Sequence, residues 1–217
     1  MPLLFLRPFS SGSVVDSSRI LDFESSWTDS TSVVWTPAGA TAISTDQVRQ
    51  GSRSVLFTGG TLTAPNAAGE FALTNQPFTL QLWIRPTVLG GQVCGTWQWQ
   101  QGYAGGWAIS LPGGVPNFKH STLILAASSA VPLNTWTHVA VCRLGNTFFM
   151  YLNGVLSSQI TSAITLNSTN YHLPNVFRIS GKTTDGGSVD EVYRGYVDNF
   201  RFLKGSAMYD GSSFTPT

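Results

Sequence analysis

The sequence predicts an all-β protein, folded as a two-sheet sandwich of antiparallel strands. Short runs of alternating or clustered apolar residues are separated by turns rich in Gly, Pro, Asn and Ser, which is the pattern of many short strands. No apolar period of 3.6 residues extends over ten or more residues, so long helices are not expected. The chain has 217 residues, of which 42% are hydrophobic, and this suffices for a single core.

The segment 133–156 predicts three consecutive antiparallel strands. Two apolar runs, 136–143 and 147–152, flank the turn-forming residues 144–146, and the second run stops at Asn153-Gly154. Gly, and to a lesser degree Asn, tolerates the positive φ that a type I′ hairpin turn needs at both central residues. This meander is therefore expected to organise the fold.

The first run of the meander is apolar on both faces. Val139 and Val141 lie on one face, and Ala140 and Cys142 on the other. A strand of this kind is covered on both sides, so we expect it in the middle of a sheet.

Other short segments between turn residues are predicted as strands. The segment 78–85 alternates cleanly, with Phe78, Leu80, Leu82 and Ile84 on one face, and it ends at Pro86. The segment 90–106 is predicted as an irregular aromatic loop. The remaining predicted strands are 20–23, 33–36, 40–44, 54–58, 107–111, 122–126, 163–166, 176–180 and 195–203.

Residues 1–15 are predicted to form an extended N-terminal arm, and residues 16–217 a single sandwich domain. The arm is expected to anchor the protein on a larger neighbour, since its apolar side chains are costly to leave in water; a mobile terminus is the alternative. Its apolar run is too short for a signal peptide, and no stretch approaches the roughly 20 apolar residues of a membrane helix. The apolar residues of the arm are Leu3, Leu4, Phe5, Leu6 and Phe9.

The composition limits the partners. Charged residues make up 11% of the chain, the formal charge is +1, and no basic cluster occurs. Nucleic acid and anionic membranes are therefore not expected partners, whereas sugars and other protein subunits are compatible. Cys94 and Cys142 are too few for a disulfide scaffold or a zinc site, and we expect two free buried thiols.

Five segments in order resemble the concanavalin A-like lectin/glucanase superfamily, in its laminin-G-like and pentraxin-like branch. The resemblance covers roughly residue 16 to the C-terminus and implies the jelly-roll fold; it does not imply a function, since this fold hosts enzymes, lectins and structural modules. The ending at 201–209 and 214–216 is similar to endings of tailed-phage virion proteins. The five segments are 51–57, 78–86, 136–141, 149–154 and 195–201.

The chain is not expected to be an enzyme. The glucanases of the superfamily carry Glu-x-Asp-x-x-Glu on one strand, which places an acid and a nucleophile around the scissile bond. None of Glu24, Glu70 and Glu191 begins that pattern. The histidines are too scattered to suggest a catalytic triad, at His120, His138 and His172.

No cofactor is expected, although calcium is a feature of the family. Its weak candidate ligands are Asp185, Asp190 and Glu191 in a Gly-rich acidic loop, and a solvated turn is the alternative. Asp198 in the following strand is expected to accept hydrogen bonds from nearby backbone N–H groups.

The aromatic loop is the candidate binding site for a glycan or a partner. Sugars are typically held by aromatic rings and amide hydrogen bonds, and the alternative is that these rings pack over the sandwich or against an adjacent subunit. Trp83 and Trp136 lie in strand patterns and are expected in the core. The candidate binding residues are Trp97, Trp99, Gln100, Tyr103 and Trp107.

The leading hypothesis is a non-enzymatic virion surface protein of a tailed phage, either a capsid decoration subunit or a tail-associated subunit. It would assemble in the host cytoplasm, bind the major capsid or tail protein through the arm, and form a symmetric homo-oligomer. The alternative is a glycan-binding module used in host-cell adsorption, acting through the aromatic loop.

Overall fold

The computed structural model describes residues 19–24, 26–66, 69–100, 103–120, 123–166, 176–184 and 188–217. For 98–100 and 103–105 it describes the backbone alone. The described chain consists of β-strands and one short 3-10 turn, Pro112–Gly114, so the predicted all-β class is confirmed. None of its helical residues forms a helix with the length and apolarity needed to cross a membrane.

The described residues form nineteen strands. They are β1 Arg19–Leu21, β2 Thr36–Ala38, β3 Thr41–Ser44, β4 Ser54–Phe57, β5 Thr61–Pro65, β6 Phe78–Pro86, β7 Gln92–Gly95, β8 Gln98–Gln100, β9 Tyr103–Gly105, β10 Ala108–Ser110, β11 Asn117–His120, β12 Leu123–Ala126, β13 Thr137–Leu144, β14 Thr147–Leu152, β15 Val155–Thr161, β16 Val176–Ile179, β17 Lys182–Thr183, β18 Val189–Asp190 and β19 Gly195–Lys204.

The strands form two large antiparallel sheets and one small sheet. The eight-stranded sheet has the order β15-β14-β13-β6-β19-β4-β3, with β1 also pairing with β19. The seven-stranded sheet has the order β12-β11-β10-β7-β16-β5-β2. The small sheet, β18-β17-β8-β9, contains one parallel pair, β17 with β8. This arrangement is the predicted two-sheet sandwich.

The core between the two large sheets is strongly aromatic. Phe71 stacks on Phe177 with ring centroids 4.2 Å apart, and Trp35 meets the same two rings edge-on. The Trp107 ring is parallel to that of Phe202 at 6.0 Å. Such offset and edge-on pairs add to the free energy gained by burying the rings.

The predicted meander is confirmed as β13, β14 and β15 in the eight-stranded sheet. Asn153 and Gly154 have φ values of 50° and 78°, as a type I′ turn requires. A Cβ on Gly154 would lie 1.9 Å from the carbonyl oxygen of Phe214. Glycine is therefore required there by both backbone conformation and space.

The C-terminal strap, residues 205–217, covers the outer face of the eight-stranded sheet. Tyr151 and Phe149 on that face are buried beneath Tyr209 and Phe214 in a second apolar cluster. Tyr209 and Phe214 stack with centroids 3.6 Å apart and an interplanar angle of 3°. The strap explains why the central strand β13 is apolar on both faces.

Polar groups of the sheet hold the strap backbone. The Thr79 hydroxyl donates to the Ser206 carbonyl at 3.0 Å and accepts from the Met208 N–H at 2.8 Å. The Tyr151 hydroxyl accepts from the Gly211 N–H at 2.7 Å. The strap is therefore fixed by side chain-to-backbone hydrogen bonds in addition to its apolar contacts.

The same outer face carries a buried histidine. His138 is 1% exposed, and its ring lies 5.1 Å from that of Trp83 and 5.8 Å from that of Phe214. Burial first, and then the positive charges of Arg49 and Arg201, lower the pKa of His138 to about 4. His138 is therefore neutral at neutral pH.

Arg19 of β1 and Asp29 form a buried ion pair that holds β1 to the loop after it. Asp29 accepts hydrogen bonds from Arg19 at 2.8 Å, from the Trp35 indole at 2.9 Å and from the Thr31 hydroxyl and N–H. Burial alone would raise the pKa of Asp29, but the hydrogen bonds from Thr31, Trp35 and Arg19 outweigh it and lower the pKa.

Several predictions of secondary structure were wrong. The predicted strand 33–36 overlaps β2 only at Thr36, and β5 was not predicted. The segment 90–106 contains β7, β8 and β9, where an irregular loop was expected; glycines at positive φ, Gly95 and Gly106, interrupt the strand pattern in the sequence. The segment 163–166 forms a single bridge, Leu166 with Thr74, and no strand. Strand β11 was not predicted, since its sequence NFKH mixes polar and charged residues.

The two cysteines are buried free thiols, as expected. Burial raises the pKa of both Cys94 and Cys142.

The indole of Trp83 is 5% exposed, but it lies on the outer face of the eight-stranded sheet, beneath the Arg49 guanidinium at 3.9 Å. Trp83 is therefore buried, as expected, although it packs on the outer face of the sheet and not between the two sheets. Trp136, which was also expected in the core, is half-buried, and its ring lies 6.4 Å from that of Tyr196.

Candidate functional site

The candidate site is a groove on the outer face of the seven-stranded sheet, next to the small sheet. Its volume is about 370 Å³. It is named the polar groove below, and it is lined by Gly91, Ser110, Pro112, Asn117, Lys119 and Glu191.

Strands β10 and β11 supply the floor of the polar groove. Ser110 pairs with Asn117 across the two strands, and its hydroxyl donates to the Asn117 side-chain oxygen at 2.8 Å. Residues alternate between the faces of a strand, so Phe118 between Asn117 and Lys119 points into the core. The short sequence NFK thus places an amide and an ammonium side by side on the outer face.

Gly91 brings the opposite wall of the groove close to the sheet. It has a φ of 81°, and a Cβ there would lie 2.5 Å from the Val192 carbonyl oxygen. The Gln92 N–H donates to the Glu191 carbonyl at 2.7 Å. Any side chain at position 91 would push this segment away, and with it the carboxylate of Glu191.

Trp97 stands next to the groove, in contact with Lys119. The Lys119 ammonium lies 5.0 Å from the centroid of the Trp97 ring, within the range of a cation–π interaction. The N–H groups of Thr96 and Trp97 both donate to the Trp107 carbonyl, at 2.9 and 3.1 Å. This local irregularity leaves Trp97 partly exposed while Trp107 is buried.

Two of the three charged side chains at the groove form an ion pair, and the third, Lys119, is not in an ion pair of the described residues. Glu191 forms an ion pair with Lys182 of β17. Burial lowers the pKa of Lys119, the negative charge of Glu191 raises it and the positive charge of Lys182 lowers it. Lys119, Lys182 and Glu191 together carry a formal charge of +1, so the groove is weakly electropositive.

The predicted aromatic residues divide into three groups. Trp97 borders the polar groove. Trp107 is 0% exposed and its indole N–H donates to the Phe71 carbonyl at 2.9 Å, so its assignment to a surface site is corrected: it fills the core. Trp99, Gln100 and Tyr103 belong by backbone to β8 and β9 of the small sheet, and their side chains lie outside the described part.

Ser110, Asn117 and Lys119 were missed from the sequence. In β11, half-buried residues alternate with buried ones. This alternation is visible only once the segment 117–120 is recognised as a strand. The apolar Phe118 between two polar residues was the available signal.

The calcium candidates do not form a cluster in the described residues. Asp185 lies outside the described residues, and Asp190 and Glu191 are exposed, with Glu191 paired to Lys182. No group of three metal-binding side chains occurs in the part of the chain that the structure describes. Asp198 accepts hydrogen bonds from the backbone N–H groups of residues 49 and 50, each at 2.9 Å, as predicted.

The predicted N-terminal arm, residues 1–15, also lies outside the described residues. Its predicted contact residues are Leu3, Leu4, Phe5, Leu6 and Phe9.

Several solved carbohydrate- and receptor-binding domains have a similar fold. Domain 4 of AbnA, a GH43 extracellular arabinanase from Geobacillus stearothermophilus solved with arabinotriose, matches with a TM-score of 0.60 and 17% identity over 88% of this chain and 93% of that one. The Ruminococcus gnavus IT-sialidase CBM40 bound to α2,3-sialyllactose matches with a TM-score of 0.56 and 13% identity, over 67% and 83% of the two chains.

A third similar structure is a larger protein. The binding domain of Paraclostridial Mosquitocidal Protein 1 matches with a TM-score of 0.65 and 12% identity. The match covers 89% of this chain and 49% of that domain, so this chain spans about half of it. At these identities the similarity shows the fold alone.

Sequence comparison gives the family. A search of curated proteins found no match. The model of the Laminin_G_3 family matches residues 57–207, more than half of the chain. The chain belongs to the concanavalin A-like lectin/glucanases superfamily.

Proposed function

We propose that this protein is a non-enzymatic carbohydrate-binding module that holds a glycan in the polar groove. The observation that supports this most is a partly exposed indole, Trp97, beside a groove that is lined by a hydroxyl, an amide and an ammonium. These three polar groups belong to Ser110, Asn117 and Lys119. Sugar rings present C–H faces to aromatic rings and hydroxyls to polar side chains. The binding of arabinotriose and sialyllactose by two proteins of the same fold is consistent with this proposal.

The groove would bind by contact and not by bond cleavage. Among the described residues that line the groove, the carboxylate is that of Glu191, and it is held in an ion pair with Lys182. Glycoside hydrolysis needs an acid and a second carboxylate at about 5–10 Å across the scissile bond. A bound oligosaccharide is therefore expected to be recovered intact after long incubation, and the release of smaller sugars, followed by chromatography, would contradict the non-enzymatic role.

A glycan array probed with the full chain tests the proposal. Wild-type protein should bind a defined group of glycans, and Trp97→Ala should weaken that binding at least about tenfold, equivalent to about 1.4 kcal/mol. Trp136→Ala is the matched control, because it removes a half-buried indole next to β13 of the opposite sheet. An array without any bound glycan, or a Trp97→Ala variant that binds like wild type, would contradict the proposal.

A second candidate role is that of a surface subunit of a tailed-phage virion. It is favoured by the resemblance of the C-terminal residues 201–209 and 214–216 to virion protein endings; part of this ending is the strap. In this role the arm would bind the major capsid or tail protein and the polar groove would face outward, so that glycan binding serves adsorption.

Mass spectrometry of purified virions tests this second role. The protein should be present in a fixed number of copies, and deletion of residues 1–13 should abolish its incorporation. Incorporation of the truncated chain at the wild-type level would refute the anchoring function of the arm.

A further inference from the structure

Lys119 is a partly buried cation on the floor of the polar groove. It lies in the middle of β11, where it pairs with Ala108 on one side and Ile124 on the other. Both neighbours are uncharged, and the residue is of intermediate exposure. An ammonium in this position loses part of its hydration without gaining a charged neighbour on the same row of the sheet.

The ion pairs of the described residues do not include Lys119. These pairs are Arg19 with Asp29 and Lys182 with Glu191. The carboxylate that lines the groove, Glu191, is thus already held by Lys182. The Trp97 ring lies 5.0 Å from the Lys119 ammonium. The negative charge of Glu191 also acts on Lys119, although the ion pair of Glu191 is with Lys182.

A cation held by an aromatic ring retains its capacity for an anion. The guanidinium or ammonium in a cation–π contact is attracted by the ring quadrupole and still presents its donors to the side away from the ring. Charge-assisted hydrogen bonds between an ammonium and an anionic oxygen are about twice as strong as neutral ones. An acidic substituent of a ligand would therefore compensate the lost hydration of Lys119.

We propose that the polar groove selects anionic glycans, with Lys119 binding the acidic group while Trp97 contacts the adjoining sugar ring. This inference rests on the proposed carbohydrate-binding function and names its substrate class. The acidic group is a carboxylate, sulfate or phosphate on the sugar, since all three present the same anionic oxygens. Asn117 and Ser110 supply the neutral contacts next to the charge.

The test uses matched glycan pairs on an array and in calorimetry with the full chain. Each pair is one oligosaccharide with and without its acidic group: uronic or sialic acids and their carboxyl-reduced forms, sulfated and desulfated glycans, and phosphorylated and dephosphorylated glycans. The acidic member should bind at least about tenfold more tightly, and the preference should fall as the salt concentration rises. The three types of pair distinguish which acid is recognised.

Substitutions at Lys119 test its role. Lys119→Met keeps an unbranched side chain and removes the charge, so it should abolish the preference for the acidic member, and Lys119→Arg should retain it. Arg53→Met is the matched control, because it removes one exposed charge beside β4 of the other sheet.

The outcomes separate the two proposals. If wild-type protein binds both members of every pair equally, or if Lys119→Met retains the preference, the anionic selectivity is refuted and the carbohydrate-binding function stands. If no glycan binds wild-type protein, the proposed function itself is refuted.

Discussion

The Thr79 hydroxyl makes two hydrogen bonds to the backbone of the C-terminal strap, which makes Thr79→Val an informative substitution. The two side chains have nearly the same volume, so the change leaves no cavity. It removes one acceptor for the Met208 N–H and one donor to the Ser206 carbonyl, which lie 2.8 and 3.0 Å from the Thr79 oxygen. Two hydrogen bonds contribute about 1–3 kcal/mol together.

The strap is only partly buried, so water can replace these bonds in part. We therefore expect a loss of about 1–2 kcal/mol in the free energy of unfolding, which corresponds to a decrease of about 3–6 °C in Tm for a chain of this size. Urea unfolding followed by tryptophan fluorescence gives the free energy, and hydrogen exchange at residues 206–211 gives the local effect. Thr135→Val is the control, because the Thr135 hydroxyl is exposed, and it should change stability by less than about 0.5 kcal/mol.

The strap amides should exchange faster in Thr79→Val and at the wild-type rate in Thr135→Val. Unchanged stability together with unchanged exchange at the Met208 amide would refute the assignment of Thr79 as an anchor of the strap.

Three further predictions concern stability. The pKa of His138 is lowered to about 4 in the folded protein, so as the pH falls the unfolded chain binds a proton at His138 before the folded chain does. His138 therefore contributes stability that is full above about pH 6.5 and is lost as the pH falls towards 4. In urea unfolding, the free energy of unfolding of the wild type should fall by about 2–3 kcal/mol more than that of His138→Gln between pH 7 and 4.5, and equal losses would contradict this. The pKa of Asp29 is lowered in the folded protein, so the contribution of Asp29 to the free energy of unfolding is present above about pH 4 and is lost in more acidic solution. Asp29→Asn should destabilise the protein by about 3 kcal/mol at pH 7 and remove the part of the acid destabilisation that is due to Asp29. An Asp29→Asn variant as stable as wild type at pH 7 would refute the role of this ion pair. Gly154→Ala should lower the Tm far more than Gly145→Ala does. Both glycines have positive φ, but a Cβ at position 154 would clash with the Phe214 carbonyl oxygen, whereas a Cβ at position 145 has nothing within 4 Å. Similar Tm values for the two variants would show that the strap does not lie against residue 154.

The sequence predicted the sheets better than it predicted what covers them. The alternation of Phe78, Leu80, Leu82 and Ile84 correctly identified one buried face of β6, because the two-residue period depends on the strand alone. The burial of the other face depends on residues 205–217, which are distant in sequence. Periodicity contains no information about such a cover, so it could not predict what packs on the outer face of β6, where the Arg49 guanidinium covers Trp83.

The candidate site was predicted in part. The richness of the segment 90–106 in tryptophan pointed to the region beside the polar groove, which Trp97 borders. Tryptophan content alone could not predict that Trp97 is partly exposed and Trp107 is buried. This difference in exposure arises from the irregular hydrogen bonds that the N–H groups of Thr96 and Trp97 make to the Trp107 carbonyl. The polar floor, with Asn117 and Lys119, comes from a short strand whose sequence resembles a loop.

The position of a bound glycan tests the account most directly. A crystal structure of the full chain with the tightest ligand from the array should show a sugar ring within about 4.5 Å of the Trp97 indole, with its hydroxyls hydrogen-bonded to Ser110 or Asn117. A ligand bound elsewhere, for example on the outer face of the eight-stranded sheet near Trp136 and Tyr196, would contradict the assignment of the polar groove as the binding site.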